Sequence, residues 1–232
     1  MSFTLLGPWC VPGLTRLLRE GSISSLRLDG AFDNGPFVDA ETEPVLFAAL
    51  RANSTLTEIT LICGGQWDEP AGIDFVDALV GHPTLQAITL QDTAEYDVET
   101  RVLAGAALGR LVAANSPALS DLTVSLCKLG DDGLRPLFAA LPSNTYLFML
   151  SAYCNGITAA FAPAVLASVT ANESLASLNI DGRKERREDD RGYGEVSIAE
   201  LHEAKALVLR RNGDYWVANL TWPARQNGAM AL

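Results

Sequence analysis

Apolar residues recur along the chain in one fixed spacing. From Leu119 the pattern runs LxxLxLxxCxLxxxGxxxL, with Leu119, Leu122, Val124, Cys127, Leu129, Gly133 and Leu137 in its places. The same opening returns at Leu147, with Leu150, Ala152, Asn155 and Ile157, and at Leu175, with Leu178 and Ile180. Towards the N-terminus it opens at Leu85, at Leu56 and, less cleanly, at Ile23, so successive openings lie 33, 29, 34, 28 and 28 residues apart. Alternating apolar places at the start of each period predict a short strand, and apolar places four apart near its end predict one face of a helix. Each period is then one strand, loop and helix. Such a unit buries its apolar edge only against its neighbours, and a stack of them has no internal domain boundary.

The helix faces are carried by Leu46 and Leu50, Phe75 and Leu79, Leu108 and Val112, Leu137 and Leu141, and Val165 and Val169. Each pair lies seven and three residues before Asn53, His82, Asn115, Asn144 or Asn172. The recurring Asn suits a helix C-terminus, because Asn tolerates the left-handed conformation. The first three helices are expected over 44–53, 73–81 and 103–114, with insertions AFDNGPFVDAETE before the first and DTAEYDVETRV before the third.

The ends differ from the repeats. Residues 1–22 read as an N-terminal cap, with Pro12 near a helix start, an apolar face at Leu14, Leu17 and Leu18, and Gly21 to close it. Residues 23–180 hold the repeats, and 181–232 a charged loop and a C-terminal cap. The run from Asp181 to Glu195 mixes five basic and six acidic residues and predicts a mobile loop. Ser197 to Glu200 forms an SxxE capping box, and its helix is expected to end at Asn212 and Gly213. Tyr215, Ala218 and Leu220 fit the strand spacing again, so YWVANLTW is read as a degenerate seventh strand with Trp216 and Trp222 over the open end of the core. The whole chain, 1–232, is one α/β domain.

This pattern resembles the long leucine-rich repeat of ribonuclease-inhibitor-like proteins. The resemblance implies a horseshoe with six to seven parallel strands on its concave side and helices on its convex side. It also implies a non-catalytic module that binds a protein partner. A related branch, the Ran GTPase activators, supplies an alternative, the regulation of a small GTPase, although none of their catalytic motifs matches here. A third possibility is one part of a larger assembly or an effector.

In a parallel stack, positions one, four and six of each repeat face the core, and three, five and seven line the open face. Position five reads Arg27, Thr60, Thr89, Thr123, Ser151 and Asn179, either a recognition strip or the ordinary preference of Thr for strands. Position three adds Ser25, Glu58, Ala87, Asp121, Met149 and Ser177; position seven adds Asp29, Ile62, Gln91, Ser125, Tyr153 and Asp181. Arg27, Glu58, Ile62, Asp121, Met149, Tyr153 and Asp181 are the candidate partner-binding residues. Met149 and Tyr153, with Phe148 beside them, form an apolar cluster that either meets a partner or is covered by the adjoining loop or C-terminal tail.

Charge adds direction. The net charge of −11 and the absence of clustered Lys and Arg argue against nucleic acid and anionic membranes. Asp33, Asp39, Glu41, Glu43, Asp68, Glu69, Asp74, Asp92, Glu95, Asp97 and Glu99 gather on the loop edge of the first three repeats against one Arg101. That edge either serves solubility or steers a basic partner. No phosphate loop, nucleophile elbow or HExxH motif is present, and His82 and His202 both have structural readings, so no enzyme, cofactor or metal is expected. Cys10, Cys63, Cys127 and Cys154 form no CxxC pair and are read as buried free thiols. No apolar run reaches the roughly 20 residues of a membrane helix, and the N-terminus lacks a basic signal region, which places the chain in the cytoplasm. Its oligomeric state is not legible.

Overall fold

The computed structural model describes residues 2–5, 11–30, 43–63, 70–92, 97–181, 184–186, 193–195 and 198–218. Each apolar opening begins a strand: β2 (Ser25–Gly30), β3 (Glu58–Cys63), β4 (Ala87–Asp92), β5 (Asp121–Ser125), β6 (Met149–Ser151) and β7 (Ser177–Asn179). A further strand, β1 (Ser2–Leu5), precedes them. All seven pair in parallel, in sequence order. The alignment matches the expected columns, since Arg27, Thr60, Thr89, Thr123, Ser151 and Asn179 are successive register partners. Parallel strands in this order need a crossover after each one, and the helices supply it.

Those helices are α1 (Val11–Arg19), α2 (Glu43–Ala52), α3 (Pro70–Leu79), α4 (Val98–Ala113), α5 (Gly130–Ala140), α6 (Ala162–Ala171) and α7 (Ala199–Ala218). The core lies between them and the sheet. Leu26, Leu28, Ile59, Leu61, Ile88, Leu90, Leu122, Val124, Leu150 and Ala152 are buried on the strand side, and all five expected helix pairs are buried opposite them. The fold is a leucine-rich-repeat solenoid.

Several expectations need correction. The strand outside the six repeats is β1 at the N-terminal end, where Phe3 and Leu5 pair with Leu26 and Leu28. Tyr215 instead lies inside α7, which runs past Asn212 and Gly213 because nothing in that stretch stops a helix as a proline would. Trp222 lies outside the described residues. α4 begins five residues earlier than expected, since Asp97 caps it by accepting from the Thr100 N–H at 2.8 Å; about half of the second insertion is therefore helix. That bond also holds the Asp97 carboxyl below its ordinary pKa. The charged run is not wholly a loop, for β8 (Lys184–Arg186) and β9 (Tyr193–Glu195) pair antiparallel within it.

The recurring Asn works through its side chain rather than its backbone. Asn144 and Asn172 are extended, and of the series only Asn115 takes a positive φ, 47°. Asn144 donates to the Val112 carbonyl at 2.8 Å and accepts from the Tyr146 and Leu147 N–H groups. Asn172 donates to the Leu141 and Asn144 carbonyls and accepts from Leu175 N–H; Asn53 clasps Leu18, Thr55 and Leu56 in the same way. Each of these buried amides ties the end of one helix to the repeat before it and to the strand after it. One extra residue before Leu119 moves Asn115 out of this ladder, where it pairs with Thr145, and puts Ser116 in its place. At the far end the Arg211 guanidinium takes the next rung, donating to the Val169, Thr170 and Asn172 carbonyls.

α4 and α5 approach unusually closely. A methyl group on Gly105 would sit 2.1 Å from the Gly133 carbonyl oxygen, and one on Gly109 would sit 2.8 Å from Cβ of Pro136. Gly133 was a fixed place in the repeat, and the close approach is its reason.

Candidate functional site

One face of the sheet carries the core, and among the described residues the helices leave the other uncovered. A parallel sheet is normally covered on both faces, and here the helices cover only one. Arg27, Glu58 and Asn179 are exposed; Thr60, Ile62, Ala87, Thr89, Gln91, Asp121, Thr123 and Ser151 are half-buried; Met149 is 38% exposed. Strands about 4.8 Å apart put these side chains in rows across the sheet. Glu58, Ala87, Asp121 and Met149 therefore stand side by side, as do Thr60, Thr89, Thr123 and Ser151.

The rows are stiffened locally. Ser151 Oγ lies 3.1 Å from Ser125 Oγ and accepts from Asn179 Nδ2 at 3.3 Å, while Asp121 accepts from the Ser120 hydroxyl. The hydroxyl column is thus partly engaged with itself.

Of the seven candidate residues, the sheet brings Arg27, Glu58, Ile62, Asp121 and Met149 onto the open face. Tyr153 lies in the turn after β6, half-buried, at the loop edge rather than in mid-face, and its carbonyl accepts from Leu126 N–H at 2.9 Å. Asp181 is withdrawn from the surface altogether. It is 1% exposed, because its carboxylate accepts from the Cys154 N–H at 2.6 Å and lies 3.6 Å from Cys154 Sγ. A partner cannot reach a side chain so enclosed.

Leu126 was missed. It is 40% exposed beside Tyr153 with a φ of 65°, a conformation that bulky residues rarely adopt. Cys154 occupies the same eighth position with a φ of 58°, whereas Gly30, Cys63 and Asp92 at that place end their strands, so the turn belongs to the fourth and fifth repeats. A leucine at an eighth position, outside the buried places, was the available signal.

On the acidic edge, Asp74, Asp97 and Glu99 are exposed and Glu43 is half-buried. Asp33, Asp39, Glu41, Asp68, Glu69 and Glu95 lie outside the described residues, as does the side chain of Asp92. Asp131 is engaged otherwise, since its carboxylate accepts from the Thr158 N–H at 2.9 Å and from the Thr158 hydroxyl at 2.6 Å. Cys127 and Cys154 are free thiols; Cys127 is fully buried and points at the Leu90 and Ser125 carbonyls, while Cys10 and the side chain of Cys63 lie outside the described residues. Among the described residues no cluster of His, Cys, Asp and Glu suits a metal ion, and no helix is long and apolar enough to cross a membrane.

No protein-family model and no curated protein matches the chain. Solved structures do match. Leiomodin-1 actin-binding site 2 aligns with a TM-score of 0.47 at 12% identity, over 90% of this chain and 92% of that one. The tropomodulin C-terminal domain of Caenorhabditis elegans aligns with a TM-score of 0.43 at 14% identity, over 90% and 97%. These findings correct the resemblance to ribonuclease-inhibitor-like proteins, which neither a family model nor these neighbours uphold. Likeness at this level assigns no partner.

Proposed function

We propose that the chain is a protein-binding module that engages its partner through the open sheet face and the loop edge beside it. The observation that carries this reading is the open face of the parallel sheet, with Met149 and Ile62 set among polar neighbours. Repeat solenoids bind through such curved surfaces, and partly exposed apolar side chains inside a polar rim are where interfaces concentrate their energy. The contact surface is Arg27, Glu58, Ile62, Asp121 and Met149, continued at the edge by Tyr153 and Leu126. Its two carboxylates and the acidic edge favour a basic or mixed-charge partner and act mainly on the association rate. The role is recognition rather than catalysis.

The test is binding kinetics with a partner recovered from the native cell. Met149→Ala and Tyr153→Ala should each weaken binding by about 1–3 kcal/mol, mostly through faster dissociation. An unchanged dissociation rate for both variants, with the fold intact, would move the binding surface to the helices.

A further inference from the structure

The ladder of buried amides is broken at one joint. At the places held elsewhere by Asn53, Asn144 and Asn172, the second and third repeats carry His82 and Ser116. Both are buried, 4% and 7% exposed. Ser116 is too short to span the gap and makes one bond, to the His82 carbonyl at 3.2 Å. His82 imitates an asparagine imperfectly: its Nδ1 accepts from the Thr84 N–H at 3.4 Å, while its buried Nε2 makes no hydrogen bond of normal geometry and the ring feels only a weak pull from the Leu50 carbonyl. The space around the ring, lined by Leu79, Leu85, Ile88, Leu111, Ser116 and Leu119, leaves no room for a water.

We propose that this joint is acid-sensitive, with protonation of His82 loosening the solenoid between its second and third repeats. Accepting from Thr84 fixes the neutral ring with its proton on Nε2. A second proton would have to enter at Nδ1, where it would face the Thr84 N–H and replace the only bond the ring makes to the following strand. The Asn53, Asn144 and Asn172 rungs are amides and do not titrate in this range.

Among the described residues no carboxylate beside the ring offsets the added charge. The side chains around the ring are apolar apart from the Ser116 hydroxyl. Asp77 on α3 is bound to Arg110 on α4 by two bonds at the solvent side, Asp74 and Arg51 are exposed, and Glu58 and Asp121 stand on the opposite face of the sheet. Burial therefore pushes the His82 pKa below its ordinary 6.5, against a smaller opposite pull from the Leu50 carbonyl. With the folded value below the unfolded one, the joint is fully stable above pH 6.5 and loses stability as the pH falls beneath it. Glu58, Ala87 and Asp121 are in register across β3, β4 and β5, so a loosened joint displaces neighbours on the open face relative to one another.

Hydrogen exchange of the full chain tests the proposal. After correction for intrinsic rates, opening in segments 79–92 and 111–124 should rise between about pH 7.5 and about pH 5.5, by at most about tenfold, the ceiling for one group with an ordinary pKa of 6.5. His82→Asn restores an amide rung and should abolish that rise. An equal rise in His82→Asn, or none in the wild type, would overturn the proposal. Should that variant fail to fold, the imidazole titration of the native chain decides by NMR, with His202→Gln used to assign the second of its two histidines. His82 titrating below 6.5 is expected, and titration at or above that value refutes the mechanism.

Discussion

Gly105→Ala puts a methyl group where α4 meets α5. The new Cβ would lie 2.1 Å from the Gly133 oxygen, 2.8 Å from its carbonyl carbon and 2.9 Å from its Cα. All three are backbone atoms, so no rotamer change relieves the contact. Ordinary contact begins at 3.4 Å, and the helices must separate by about 1.3 Å. A gap of that size forfeits a large part of the dispersion energy along the whole contact, and overpacking of this kind costs about 1–3 kcal/mol. Alanine in a helix interior returns about 1 kcal/mol through propensity. Because the clash is with backbone, the upper range applies, and the net loss should be about 2 kcal/mol. Gly13 in α1 is the control, since a methyl there meets nothing within 4 Å; Gly13→Ala should stabilise by about 0.5–1 kcal/mol. Urea unfolding followed by circular dichroism measures both. A Gly105→Ala variant as stable as the wild type would show that α4 and α5 are not in this contact.

Asn172→Ala strands the Leu175 N–H and takes one donor from each of the Leu141 and Asn144 carbonyls, which keep the Asn144 N–H and the Ser174 hydroxyl, and should cost about 2 kcal/mol in the same unfolding experiment. Arg211→Ala removes the last rung and should speed amide exchange in α7 and at the end of α6 well before the remaining helices respond. All four cysteines should take up a thiol reagent in denaturant without any reductant, as counted by intact mass; in the native chain, Cys127 should stay unmodified while half-buried Cys154 reacts.

Strand placement was the most legible part of the chain. The LxxLxL spacing put the third and fifth positions in their observed register because one face of the sheet is buried, and a slip of one residue would expose the core. β1 escaped notice since its first template position would precede Met1, leaving only Phe3 and Leu5 to show. The ladder was half legible. The Asn spacing is plain in the sequence, but its cause is a set of contacts some 30 residues apart, which a rule about local helix ends does not contain. At the open face, the repeat frame located Met149, Glu58 and Asp121. It misjudged Asp181, whose burial depends on the Cys154 turn rather than on strand alternation, and passed over Leu126 for the same reason.

The most direct test of the binding reading is a hydrogen-exchange footprint of the partner complex against the free chain. Protection should fall on β2 through β6 and on the turns at 126–128 and 153–156, with α2 to α6 unchanged. Protection confined to those helices, with the strands and turns unaffected, would contradict the account.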